Sequence, residues 1–385
     1  MAPTVNFLAP LVGESFSTRN GNYLSDANGL ISGVAIGPQI ADLLESGCIP
    51  LAANPFANFR NIIDGGDFTV NPIQRNIPGL ATAGVIAAAI AATPTYFADR
   101  FSMVGGASSA ILASLIADTS LVGFSQCLKM QRQSGNANVA PIYLQHVLET
   151  ADVIRLQGQI CTLSFYAKIG ANYSGGALTV QAAYGTGTNQ SAANLNAGSW
   201  TNQANALLTT QALSTGWMRY QFTFTVPTNA TQIGFQWSFT PVGTAGADDS
   251  VSFQGVQFEI GASASPVERR DVQVELEICQ RYAWVIAEPA SGVLVGSGTT
   301  LGANVQNFYL AAPVQFAKAP TVTIAAGAFK VAVGAAYAAA TTLAAGATHT
   351  VNAISLTAAN TATAGVGALL GGGAGSGYIA ASADF

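Results

Sequence analysis

The chain has 385 residues, enough for about two to three domains with proper cores, yet only 9% of it is Asp, Glu, Lys or Arg and its net charge is −5. Ordinary soluble domains carry roughly 25% charged residues, so at a mean hydropathy of +0.36 this chain cannot clothe its surface in ions, and partner subunits or a membrane must cover part of it. The scarcity of Lys, with no basic run, argues against a nucleic-acid surface, and the longest apolar tract, Val85 to Ala92 between Gly84 and Pro94, is too short for a helical membrane span.

Residues 1–60 read as a small opening module. Tyr23, Leu24 and Ile31 suggest short strands around an Asn28-Gly29 turn. A helix is predicted next, started by Gly37-Pro38, with Ile40, Leu43 and Leu44 on its apolar face and Gly47 as its stop.

Residues 61–264 alternate strand and turn. Tyr220, Phe222, Phe224 and Val226 alternate with polar residues, as do Ile233, Phe235, Trp237 and Phe239. Between Val251-Phe253 and Val256-Phe258-Ile260 the apolar phase switches at Gln254-Gly255, which predicts a β-bulge. Strands without alternating helices predict an all-β fold, here an antiparallel jelly-roll sandwich.

Residues 265–285 break the pattern. Val272, Leu276, Cys279 and Ala283 fall at helical spacing and Glu277 precedes Arg281 by four, which predicts a short, charged connecting helix. Residues 286–385 then become rich in Ala, Gly, Thr and Val. Pro320–Ile324 and Thr350–Thr357 alternate as strands, so this part is predicted to be a second β-sandwich, with Gly371-Gly372-Gly373 as a loop and not a phosphate cradle.

Side chains for catalysis are sparse. His146 and His349 are isolated, and no metal-ligand spacing, nucleophile elbow or phosphate loop appears, so neither metal nor cofactor is expected and the chain reads as non-enzymatic. Cys48, Cys127, Cys161 and Cys279 are far apart and read as buried free thiols. The acidic pairs Asp64 with Asp67 and Asp248 with Asp249 suit turns better than glycosidase carboxylates, though their oxygens could also hold calcium. Asp99-Arg100 reads as an ion pair or hydrogen-bond anchor at a strand start.

Aromatic rings are the natural platforms for sugars. Trp200, in the polar stretch Asn196–Gln203, is the leading ligand-binding candidate, followed by Tyr184 and Tyr337 among small or polar residues; Trp217 and Trp237 lie at strand positions and read as core. An outer-membrane barrel would suit the strands and the aromatic Phe385, but Met1-Ala2-Pro3-Thr4 shows no export signal, so membrane insertion is not expected.

Several strings, in fixed order, resemble a family of bacteriophage tail-fibre and virion surface proteins. Asn61-Ile-Ile-Asp-Gly-Gly-Asp-Phe68 resembles the opening of their jelly-roll module, with Gly65 where that pattern has Asn. Tyr96-Phe-Ala-Asp-Arg-Phe101, Val256-Gln-Phe-Glu-Ile-Gly261, Ser265-Pro-Val-Glu-Arg-Arg270 and Glu275-Leu-Glu-Ile-Cys-Gln-Arg-Tyr282 are similar to later motifs, and Pro320–Thr323 and Tyr378–Phe385 to the distal β-domain. The resemblance covers residues 61 to 385. It implies a jelly roll akin to carbohydrate-binding modules, a homotrimer, and service on the virion surface after synthesis in the host cytoplasm. Residues 1–60 are then expected to contact other virion proteins and the outer domains to meet a host-surface glycan. The alternative is a capsid decoration or head-fibre protein with a mainly structural role, and a glycan depolymerase ranks last.

Overall fold

The computed structural model describes, before residue 60, the strand backbones of residues 4–8, 15–18, 21–24, 30–35 and 49–50. From there it describes residues 60–68, 86–89, 94–98, 100–105, 110–287, 293–302, 305–325, 329–333, 336–339, 342–346, 349–359, 367–371 and 378–384. The chain divides into two units, Met1–Asn61 and Ile62–Phe385. In the first, β1 (Thr4–Leu8) lies between β4 (Leu30–Ala35) and β5 (Ile49–Pro50), and β2 (Ser15–Thr18) pairs with β3 (Gly21–Leu24). Tyr23, Leu24 and Ile31 thus stand in strands, while the turn at Asn28-Gly29 and the helix predicted between Gly37 and Gly47 lie outside the described residues.

The second unit opens with two antiparallel six-stranded sheets. One has the order β15 (Met218–Thr225), β12 (Ile160–Ile169), β17 (Ser250–Ile260), β10 (Gln126–Arg132), β9 (Ala110–Ala117), β6 (Ile86–Ala89). The other has the order β14 (Ala204–Gln211), β13 (Leu178–Gly185), β16 (Gln232–Phe239), β11 (Ile142–Val147), β8 (Phe101–Gly105), β7 (Thr95–Ala98). Period-two alternation sends Leu163, Phe165, Phe253 and Phe258 inward from one sheet and Leu144, Phe235 and Trp237 from the other. Their rings meet edge to face, Phe165 on Trp237 at 5.8 Å and Phe235 on Phe258 at 4.8 Å. This is the jelly-roll sandwich expected from the alternation.

The predicted bulge is present. The register of β12 with β17 runs from Ser164 opposite Gln257 to Tyr166 opposite Gln254, which leaves one extra residue in β17. Gly255 takes it up at φ 54°, a conformation that L side chains rarely adopt. Val251, Phe253, Val256 and Phe258 therefore all reach the same core.

Beyond the short helices α1 (Thr150–Ile154) and α2 (Ala192–Asn196) and the connecting helix α3 (Val272–Gln280), capped by the Asp271 side chain on the Gln273 N–H at 2.9 Å, come two further antiparallel sheets. The smaller has the order β18 (Ala283–Ala287), β27 (Tyr378–Ser382), β21 (Thr321–Ala325). The larger has the order β23 (Ala336–Ala339), β22 (Lys330–Val333), β26 (Gly367–Gly371), β19 (Leu294–Gly302), β20 (Val305–Ala311), β25 (Ala353–Ala359), β24 (Thr342–Ala345). Phe308, Phe316, Phe329, Leu356 and Ile379 form their shared core. Gly371 ends β26, and Gly372-Gly373 lies outside the described residues.

The connecting helix presents a different face from the one predicted. Cys279 is buried, but Val272 is 52% exposed and the carboxylate of Glu275 is buried in its place. Glu275 accepts the Gly65 N–H at 2.5 Å and pairs with Arg270 at 2.9 Å, and these charge-assisted bonds turn the helix. Arg281 reaches Glu149 at 3.0 Å. Ala283 is already strand.

Candidate functional site

The outer face of the sheet β14-β13-β16-β11-β8-β7 can be read as a grid, because cross-strand register places alternate residues side by side. One row runs Leu208, Gln181, Gln236, Gln145, Ser102, Tyr96. Beside it runs Thr210, Thr179, Ser238, Tyr143, Val104. On the other side, Ala183, Gly234 and Val147 lie under a wall.

Helix α2 (Ala192–Asn196) and the residues after it build that wall. The Ser191 hydroxyl caps α2 by accepting the Asn194 N–H at 3.2 Å, which fixes Leu195 inward. Leu195 and Trp200 pack with Ala183 and Val147. A Cβ on Gly234 would sit 2.5 Å from Leu195 Cδ2 and 2.8 Å from Trp200 Cη2, so the absence of a side chain there is what lets the wall close.

Within the first row several polar side chains are buried without a hydrogen-bonding partner among the described residues: Gln145 at both amide atoms, Gln236 at Nε2 and Ser102 at Oγ. Gln181, nearer the edge, donates to Asn205 Oδ1 at 2.7 Å. A buried polar group left unpaired costs roughly 1–3 kcal/mol, so a contiguous set of them on one face calls for an explanation. No residue in the three rows is charged.

The residues singled out from sequence fall elsewhere. Trp200 is no exposed platform: it is 3% exposed, and its indole N–H donates to the Ser191 carbonyl at 2.9 Å. Its stretch looks polar because those polar groups bond to one another, the Gln203 side chain accepting the Trp200 N–H at 3.0 Å. Tyr184 is half-buried against the jelly-roll core. Tyr337 stands in β23, pairs with Ala332, and its side chain lies outside the described part. Trp237 is core, but Trp217 is half-buried outside it: Lys168 stacks on its ring at 4.6 Å, and its N–H donates to Ser120 Oγ at 3.1 Å.

The carboxylates serve the frame. Asp249 and Arg132 form a fully buried pair at 2.8 Å, with Ser174 donating to Asp249. Asp248 pairs with Lys129 at 2.7 Å. Asp64 faces Arg100 at 3.5 Å, and burial pushes its carboxyl up to about 6 despite that guanidinium. Asp99 lies outside the described residues. His146 is buried beside Phe101, its ring centroid 4.8 Å away, and burial, then the charge of Arg100, holds it well below the usual imidazole range. His349 accepts the Ser355 N–H at 3.1 Å. Cys127, Cys161 and Cys279 are free and buried, and Cys48 is outside the described residues. Among the described residues no cluster of His, Cys, Asp or Glu could hold a metal ion.

No protein-family model matches the chain. No curated protein matches it either. Among solved structures it is similar to the enzymatically active domain of tailspike protein 4 of bacteriophage CBA120, at 11% identity and a TM-score of 0.32, over 53% of this chain and 22% of that one. The chain thus spans about a fifth of that tailspike structure. It is also similar to a putative sugar binding protein from Bacteroides thetaiotaomicron, at 11% identity and a TM-score of 0.30, over 52% of this chain and 100% of that one. A third similarity is to the CBM22-1 xylan-binding domain of Paenibacillus barcinonensis Xyn10C, at 12% identity and a TM-score of 0.27, over 42% and 87% of the two chains.

Proposed function

We propose that this chain is a non-enzymatic surface subunit of a bacteriophage particle, a fibre or spike, that binds host-surface glycan through the outer face of β14-β13-β16-β11-β8-β7. The observation that carries the binding role is the row Gln181, Gln236, Gln145, Ser102, whose inner members are buried and unpaired on the face opposite the core. Side-chain amides both donate and accept, as sugar hydroxyls do, and half-buried Tyr143 and Tyr96 flank them with ring surface. None of the row residues is acidic, and Asp64, Asp248 and Asp249 are held by cations elsewhere, which favours binding over hydrolysis.

The virion role rests on the ordered strings between Asn61 and Phe385, and the homotrimer on that resemblance together with the scarcity of charge. Residues 1–60 then hold the subunit to other virion proteins. Glycan-array binding of the full chain tests the reading. Binding to host envelope saccharides, lost in Gln236→Ala, is expected; a chain that binds no glycan on the array or on host cells sinks it.

A further inference from the structure

The jelly roll has one long, bare side. β14 and β15, eight residues each, stand last in their two sheets, and among the described residues no strand pairs with the outer edge of either. The opposite edges, β6 and β7, are four residues each. Between β14 and β15 the core itself comes to the surface: Ala206, Leu207, Leu213, Tyr220 and Phe222 pack against it while only partly buried, and Met218 is 53% exposed. Soluble proteins blunt such edges with lysine, proline, bulges or short strands. Here neither strand holds a Lys or Pro, and the one bulge in β14, at Ala206, leaves Leu207–Gln211 regular. Between Lys168 and Asp248 the only charged side chain is Arg219. That guanidinium is turned onto the outer face of its sheet, where it donates to the Ser265 carbonyl at 2.5 Å and to Ser164 Oγ at 3.1 Å.

Resting on the assembly reading above, we infer that this seam is where copies of the chain meet, β14 of one adding antiparallel to β15 of the next. A bare edge offers alternating N–H and C=O groups, which another strand satisfies along its whole length. A second copy brings that strand with the right length and direction. β14 and β15 are equally long and, joined by the six residues 212–217, run in opposite directions on the same side of the sandwich. Rotation about an axis along the strands therefore sets β15 of one copy antiparallel to β14 of its neighbour, and the same step repeated closes a ring that leaves neither long edge open. The trimer proposed above is one such ring.

Chemistry and size both suit a copy. With the strand ends matched, Gln211 lies opposite Met218 of the next copy, Thr209 opposite Tyr220 and Leu207 opposite Phe222. Each of these stands on the core-facing side of its own strand, beside Leu178, Val180 and Ala182 or Ala167, Phe165 and Leu163. No pair sets like charges together, and apolar groups now half in water cover one another. An eight-residue strand is about 27 Å long, and two sheets about 10 Å apart with their outer side chains make the seam about 20 Å wide, so roughly 1,100 Å² is covered over two copies, above the roughly 1,000 Å² of a specific contact.

The test uses the full chain and sedimentation velocity over a dilution series. The unchanged protein is expected to assemble. The double variant Thr209→Lys with Met218→Lys, which points a cation into each edge from the core-facing side, is expected to dissociate at concentrations about a hundredfold higher or more, with its far-ultraviolet circular dichroism unchanged. A second measurement does not depend on how well that variant folds: copies carrying Gln211→Cys are co-expressed with copies carrying Met218→Cys and oxidised, and each kind is expected to cross-link to the other and not to itself. A folded lysine variant that assembles as tightly as the unchanged protein, or cysteine copies that assemble yet never cross-link, would overturn the seam and leave the assembly reading standing. An unchanged protein that stays single at every dilution would remove both, and an extended peptide of another protein bound along β14 of such a single chain would name a different occupant.

Discussion

His146 and Asp64 put opposite pH dependences into one core. The folded protein keeps His146 neutral well below 6.5, while an unfolded chain protonates it there, so its contribution to stability falls as pH drops below about 6.5. Asp64 is pushed up to about 6 from 3.8 by burial, so between those values the folded state binds the extra proton and stability falls as pH rises. The two oppose each other between about pH 4 and 6, each at up to roughly 1.4 kcal/mol per pH unit. Relative to the unchanged protein, His146→Leu should therefore lose stability on going from pH 4 to 6, and Asp64→Asn should gain it. Urea midpoints at several pH values check this, and tilts of the same sign in both variants would show that one assignment is wrong. At this scale the sequence misled most about Trp200: the hole above Gly234 that receives it comes from a neighbouring strand, and no local pattern reveals it.

At the scale of elements, what alternation governs was legible. The strands around Phe222, Phe235 and Phe258 and the bulge at Gly255 follow from period two and one phase switch. The amide row did not show itself, because Gln145 and Gln236 occupy positions that look like ordinary wet faces, and only the pairing register of strands some 90 residues apart sets them side by side. The α3 face was misread because its orientation is set by Gly65 and Arg270, not by its own apolar residues. The strings that resemble the phage family converge here on a joint: the Arg100 guanidinium sits 3.8 Å over the Tyr282 ring, and the Tyr282 hydroxyl donates to Glu149 at 2.6 Å. The backbone of Tyr282 meanwhile accepts the Ala383 N–H at 2.7 Å, so one residue ties the jelly roll to the second sandwich. Glu149→Ala leaves Tyr282 and Arg281 without this partner, at a cost of about 1–3 kcal/mol. Calorimetry of that variant should show the jelly roll and the second sandwich melting separately where the unchanged protein gives more nearly one transition. A single transition of unchanged midpoint would mean that the joint does not couple them.

Over the whole molecule the shortage of charge falls mainly on the second sandwich, where Lys318 and Lys330 are the only charged side chains between Pro289 and Ala383. On its surface Trp284, Ile286, Leu294, Val295 and Tyr309 line an open groove of about 540 Å³, with Leu294 54% and Tyr309 60% exposed. Apolar surface of this kind with so little charge around it is unfavourable in water at roughly 25 cal/mol for each Å² left uncovered, and copies of the same chain are always at hand to cover it. If the groove is part of the subunit contact of the proposed trimer, the double variant Leu294→Arg with Tyr309→Arg, which places cations on both sides of it, should sediment as single subunits. Its jelly roll would keep the intrinsic affinity for a short saccharide, while adhesion to a surface bearing many copies would fall by about 10²-fold or more as avidity is lost. Sedimentation velocity over a dilution series, alongside calorimetry and cell binding, separates these effects. An unchanged protein that runs as a monomer at every concentration would refute the assembly, and a double variant that still assembles would move the contact to another face.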